Sequence, residues 1–297
     1  MIVDLSSLPA PEVVEALSFE AIVADTKADF LARHPESADV IDLESNPVVK
    51  LVETFAYREL LLRARYNDEA RALLLAFTTG ADLDHLGVTY YDGTERLTIT
   101  PADETTIPPT PAVREEDDDY RMRLQLQPES ESVAGPRDAY RFHALSAAGQ
   151  VKDARATRPQ SGTVEVFVLS RTGNGVPAPA LLDTVAAALS AEDIRPLCDE
   201  VVVSPAAVIE YTLDIHLVLF AGPSTELVAP ASETSLAQFA AANHLLGNDI
   251  IDSAIKAAAH RPGVKKAIVV SPAADIVCTE GQAPYCTGIT VTVIGVE

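Results

Sequence analysis

Apolar residues in the first third of the chain recur at helical rather than strand spacing. Val14, Leu17, Ile22 and Phe30 mark one face of a helix expected between Pro11 and Arg33. Asn46-Pro47 then reads as the start of a longer helix, the asparagine as N-cap and the proline in the first turn, where no N–H is needed. The expected stop is Gly80, which predicts a helix about 46 Å long. Along it Val48, Val52, Phe55, Leu62, Tyr66 and Leu73 follow an alternating four-three spacing close to a coiled-coil heptad, interrupted by Glu59 and Glu69. Tyr57, Leu61, Ala64 and Leu75 form a second stripe on the opposite side. A helix apolar on two sides needs two neighbours, and one chain of this size is short of material for both. The six residues of the first stripe are therefore the candidate interface.

From about Leu97 to Val133 the pattern changes. Ile107-Pro108-Pro109-Thr110-Pro111 continues neither a helix nor a central strand. Five acids, Glu115 to Asp119, lead into Tyr120-Arg121-Met122-Arg123-Leu124. They read as a solvated helix start favoured by the helix dipole, with a metal site as the alternative.

The remainder carries an internal repeat. A helix from Arg137 to Ala148 leads through Gly149 to Val151-Lys152-Asp153-Ala154, then Arg158-Pro159, then an alternating run from Gly162 to Val168. A helix from Asp252 to His260 leads through Gly263 to Val264-Lys265-Lys266-Ala267, then Ser271-Pro272, then a run from Gly288 to Val293. Val151 and Val264 stand 113 positions apart, as do Pro159 and Pro272, and a Cys278–Cys286 insertion displaces the last strand. Each half is expected to be helix, strand, hairpin, strand. Between them a helix is expected over Ala180 to Ser190, a long strand over Ile209 to Phe220, and a helix over Ser232 to Asn243. The predicted fold class is α+β: an N-terminal long-helix bundle region, then two related small α/β (helix-strand-strand) domains. The expected divisions are a helical domain at 1–98, a Pro- and acid-rich linker or β-hairpin region at 99–135, and α/β domains at 136–220 and 221–297.

Composition narrows the function classes. With 297 residues, 47% of them hydrophobic, the chain is neither disordered nor short of a core. No apolar run reaches the roughly 18 residues of a membrane span, and Met1 to Asp4 lack the basic start of a signal peptide. A formal charge of −22 without basic clusters argues against nucleic acid and anionic membranes. It either keeps an interface-rich surface soluble or is the ordinary acidity of a bacterial protein. Cys198, Cys278 and Cys286 fit a reducing compartment and read as small, semi-buried hydrophobes; a Cys278–Cys286 pair across a hairpin is the alternative.

Candidate chemistry is sparse. Asp82-Leu83-Asp84-His85 has metal-ligating residue types but no distant partner, and Asp82 or Asp84 suits a helix cap. Ser253-Ala254-Ile255-Lys256 matches a Ser-x-x-Lys nucleophile pattern without its companion motifs. Arg171-Thr172-Gly173-Asn174-Gly175 lacks the ending of a phosphate loop and reads as a turn. His34, His85, His143, His216, His244 and His260 are scattered. No catalytic, cofactor or metal site is expected.

Two stretches resemble the baseplate J-like family of contractile phage tails. In residues 42–91 the matching motifs are Pro47-Val48, Leu51-Val52-Glu53, Ala56-Tyr57-Arg58-Glu59, Arg65-Tyr66-Asn67-Asp68 and the run from Thr79 to Gly87. The second is the run from Ala134 to Ser146, continuing through Val151-Lys152-Asp153-Ala154 and the strand from Gly162 to Val168. Together they span most of residues 40–297. The resemblance implies a non-enzymatic wedge subunit made in the host bacterial cytoplasm and placed in the baseplate of a virion or tail-like particle. Implied partners are a second copy in each wedge, a smaller baseplate wedge protein, neighbouring wedges and the sheath-initiator protein, with no nucleic acid and no membrane. An assembly scaffold not retained in the particle, or a metal-dependent hydrolase built from the scattered histidines, remains the alternative.

Overall fold

The computed structural model describes residues 5, 9, 11 and 13–297, except 133, 193, 223 and 224, so the expectation drawn from Met1 to Asp4 lies outside the described residues. The chain forms two compact units, Ile2–Glu95 and Arg96–Glu297.

The first unit is helical. Helix α1 (Phe19–Arg33) begins later than Pro11 because Ser18 caps it, its hydroxyl accepting the Ala21 N–H at 3.2 Å. Helix α2 (Pro47–Ala72) starts as its sequence dictates, with Asn46 Oδ1 accepting the Val48 N–H at 2.9 Å and Pro47 in the first turn. Its end differs from the expectation. The N–H of Leu74 turns back to Arg71, and those of Phe77 and Thr78 to Leu74, so the helix closes at Ala72. Its 26 residues span about 39 Å. Gly80, at φ +56°, opens α3 (Gly80–Tyr90) instead of stopping α2. Val49, Val52 and Ala56 form the buried strip of α2, and α1 packs against the helix. Further along, Asn67 clamps the chain before α1: its amide donates to the Glu15 carbonyl at 2.9 Å and accepts the Glu15 N–H at 3.0 Å.

The second unit opens with a small antiparallel pair, β1 (Thr98–Thr100) and β2 (Val113–Arg114), followed by α4 (Asp117–Ser130) and α5 (Arg137–Ala147). The acid run before and within α4 is solvated only in part: Glu116 and Asp118 are exposed, whereas the others are drawn inward. Glu115 is buried and takes Arg123 at 2.8 Å, Asp117 takes Arg96 at 2.7 Å, Asp118 takes Arg121 at 2.6 Å, and Asp119 takes Arg171. Arg96 and Arg123 both lie over the ring of fully buried Tyr120.

Two three-stranded mixed sheets follow. The first has the order β3 (Val151–Gln160), β4 (Thr163–Ser170), β5 (Glu200–Pro205), with β3 antiparallel and β5 parallel to β4. Helix α6 (Pro179–Leu189) connects β4 to β5, a strand that sequence reading passed over. The second has the order β7 (Val264–Ser271), β6 (Ala207–Leu219), β8 (Gln282–Val296). Alternate residues of β6, Tyr211 to Leu219, point into a core shared with Val228 and Leu236 of α7 (Thr225–Asn243) and Ile255 of α8 (Asp252–Ala259).

Strand β6, grouped in the sequence reading with residues 136–220, thus pairs with the strands that follow it. The repeat also holds in element order but not in pairing. The tight turn at Ser161-Gly162 makes β3 and β4 a hairpin, whereas the longer connection after Ser271 carries β8 to the far side of β6. Cys278 and Cys286 are both free thiols, as is Cys198.

The second unit is tied together by one carboxylate. Asp153, fully buried on β3, accepts Arg141 of α5 at 2.7 Å, the Ala154 N–H at 2.9 Å and, from the segment after α7, the Leu246 N–H at 3.1 Å. The repeat-equivalent position is Lys266, which is exposed. Asp153→Ala would strand a partly buried guanidinium and a buried N–H, and is expected to lower unfolding free energy by about 3–5 kcal/mol. Lys266→Ala should stay within about 0.5 kcal/mol. Urea denaturation of both variants checks this; equal effects would contradict it.

Candidate assembly surface

The candidate interface residues divide sharply. Val52 is 5% exposed and belongs to the internal strip of α2, whereas Phe55 is 59% and Tyr66 58% exposed. Leu62 is half exposed, Val48 is on the boundary, and Leu73 lies outside the helix as its C-cap, largely in solvent. Phe55, Leu62 and Tyr66 line a shallow depression along α2 with Arg58, Glu59 and Arg63. Arg63 donates to Glu59 at 2.6 Å and to Glu15 at 3.3 Å, which fixes one rim of that depression. Of the second stripe, Tyr57 and Leu61 are exposed, while Leu75 sits in the turn beyond the helix. Leu51 is exposed as well. A single α2 therefore offers large apolar side chains to solvent on more than one side.

The chemical motifs are not brought together. Asp82 lies in the first turn of α3 without serving as its cap, and His85 is exposed beside buried Leu83 and Leu86. Ser253 is exposed, and the Lys256 ammonium that would have to activate it is held by Asp252 at 2.6 Å. Arg171 to Gly175 closes a loop, the Ser170 N–H donating to the Gly175 carbonyl at 2.7 Å. Gly175 has φ +100°, and a side chain there would collide with Leu169 and His244. His34 pairs with Glu36, His216 with Asp214, and His143 stacks edge-on against Phe142. His244 alone among them is buried, its Nδ1 donating to the Pro284 carbonyl at 2.7 Å. Burial pushes its pKa down, against the Pro284 hydrogen bond, and so favours the neutral ring. Among the described residues no group of three or more His, Cys, Asp or Glu is placed to hold a metal, and no helix is long and apolar enough to cross a membrane.

A surface-rich helix joined to small α/β modules is the profile of an assembly protein. Comparison with known families makes the class specific. The baseplate J-like N-terminal domain matches residues 44–103, the central domain 132–205 and the C-terminal domain 211–292. Baseplate protein J of Escherichia phage P2 is 48% identical over 291 residues, covering 96% of each chain. The chain belongs to the baseplate J-like family, among the structural proteins of phage-tail baseplates. The N-terminal family domain contains all of α2, and the C-terminal one includes most of β6 and of β8 together with β7.

The division of the stripe sets a direct test on the isolated chain. Val52→Asp buries an uncompensated carboxylate and is expected to cost several kcal/mol, enough to unfold or aggregate the protein. Leu62→Asp, at a half-exposed position, should leave circular dichroism unchanged and stability within about 0.5 kcal/mol. Thermal melts of the two variants check this, and unfolding by Leu62→Asp would place that face inside the subunit.

Proposed function

We propose that this chain is a wedge subunit of a phage-tail baseplate and that α2 is its principal docking element. The observation that carries the reading is the row Phe55, Leu62 and Tyr66, exposed on a helix whose internal packing is already provided by Val49, Val52 and Ala56. Burying one such side chain is worth about 1.5–3 kcal/mol, so three of them give a docked partner helix enough favourable energy to offset the ordering of its side chains. Two copies of the chain join a smaller baseplate protein through this row, and the wedges so formed contact neighbouring wedges and the sheath-initiator protein.

The division of labour follows the chain. Residues 1–98 supply the helical surface, 99–135 the connecting hairpin and α4, and 136–297 the α/β modules that contact further baseplate components. The chain's chemistry is that of contacts alone, in a particle assembled in the host cytoplasm.

Light scattering of the purified chain, alone and mixed with the neighbouring tail proteins, tests this reading. The expected species contains two copies with one smaller partner, and Leu62→Asp abolishes it while leaving the free chain folded. A strict monomer that binds none of them would overturn the wedge reading. A chain that binds them but is missing from purified particles would be a scaffold. His85→Ala and Ser253→Ala should assemble into fully infective particles; normally assembled but inactive ones would instead reveal chemistry at these residues.

A further inference from the structure

The start of β3, the loop after β4, the end of α7 and the middle of β8 surround a cavity of about 440 Å³. Its polar lining is Lys152, Arg171, His244 and Tyr285, and Ala240 and Ile289 contribute an apolar wall. Arg171 is largely compensated: Nη1 donates to Asp119 and Nε to the Gly149 carbonyl at 3.0 Å. Lys152 is not. Asp119 is occupied by Arg171, Asp153 by Arg141 and two backbone N–H groups, and His244 is turned to the Pro284 carbonyl. Among the described residues no carboxylate pairs with the Lys152 ammonium, although the side chain is half-buried and desolvation draws its pKa down. Asp119 and Asp153 favour its charge from a distance, but a cation partly withdrawn from water without a contacting counterion is unfavourable, and it stands out in a chain whose net charge is −22.

We propose that this cavity receives a carboxylate carried on an extended segment of a neighbouring baseplate protein, with Lys152 as its counterion and Arg171 Nη2 as a second donor. The inference rests on the reading that the chain assembles with other baseplate proteins. Two features select a polypeptide over a free anion. The Ala240 and Ile289 wall offers contact to an apolar side chain that acetate or phosphate does not use. The cavity also adjoins β8, an edge strand of the order β7-β6-β8; His244 and Gly247 hold the carbonyls of Pro284 and Gln282, and no other strand covers its outer side among the described residues. An extended segment can add to such an edge through backbone hydrogen bonds while its acid enters the cavity.

Carbodiimide treatment of intact particles followed by mass spectrometry tests this, because the reagent joins an ammonium to a carboxylate already in contact. The expected product links Lys152 to an Asp, Glu or C-terminus of another chain. Lys152 should also be acetylated at least about tenfold more slowly in particles than in the free chain. Lys152→Met, folded by circular dichroism, should lose to the wild-type chain by about tenfold in competitive incorporation, and Lys152→Arg should recover most of that. Particles that contain the chain but acetylate Lys152 as fast as the free protein would overturn this inference and leave the assembly reading standing. Particles lacking the chain would overturn the assembly reading itself. Protection of Lys152 by millimolar acetate or phosphate in the free chain, with no cross-link in particles, would show a small-anion site and also overturn it.

Discussion

A carboxylate with no access to water must find its partners inside the protein, and Asp153 finds them on two other segments besides its own strand. Through Arg141 it orients α5 on the first sheet, and through Leu246 it holds the connection between α7 and α8 against the same strand. Around it Leu169, Ala206, Leu246 and Ala283 form a small apolar cluster drawn from both sheets. The backbone reinforces the join, since the Ala206 N–H donates to Val168 of the first sheet and the Ala207 N–H to Gly281 just before β8, both at 2.9 Å. The two three-stranded sheets are thus fastened at one end by these backbone bonds and the apolar cluster, with the ion pair securing α5 to the same region. The Lys152 cavity lies next to this fastening, because Lys152 immediately precedes Asp153 on β3.

The helical unit follows a different logic. Its internal core is thin: Ile22, Ile41, Val49, Val52, Ala56, Leu83 and Leu86 carry the burial, and the clamp between Asn67 and Glu15 fixes the chain before α1. The larger apolar side chains of α2, including Phe55 and Tyr66, are those left outside. On α2 the aromatic side chains Phe55 and Tyr66 lie outside while Val49, Val52 and Ala56 lie inside, the reverse of the usual arrangement of a monomeric domain. A baseplate component has a physical reason to be built this way, since the energy of closing the assembly has to come from surface that the free subunit leaves open.

Local signals were legible in the sequence and non-local ones were not. Asn46-Pro47 announced the start of α2 because capping is written in adjacent residues. The end of α2 was misplaced because the turns after Ala72 contain neither Gly nor Pro, while Gly80 looked like a stop and is a start. The alternation of β6 was plain, but its partners were not, because pairing depends on which connection crosses over and not on the strand's own residues. Glu116 and Asp118 are exposed as the acid run suggests, but the partners that draw in Glu115, Asp117 and Asp119, namely Arg123, Arg96 and Arg171, are distant or point back across a helix turn. The Lys152 cavity draws on four segments, and no single window of sequence contains it. The exposed row on α2 was legible as a stripe, though Val52 could be separated from Phe55 and Tyr66 only once the internal strip was known.

The central claim is that other chains cover the outer faces of α2 in the assembled baseplate. Hydroxyl-radical footprinting of the free chain and of purified particles measures this side chain by side chain. Phe55, Leu62 and Tyr66 should label readily in the free protein and become protected in particles, whereas His85 should change little. Equal labelling of Phe55, Leu62 and Tyr66 in the two states would contradict the account.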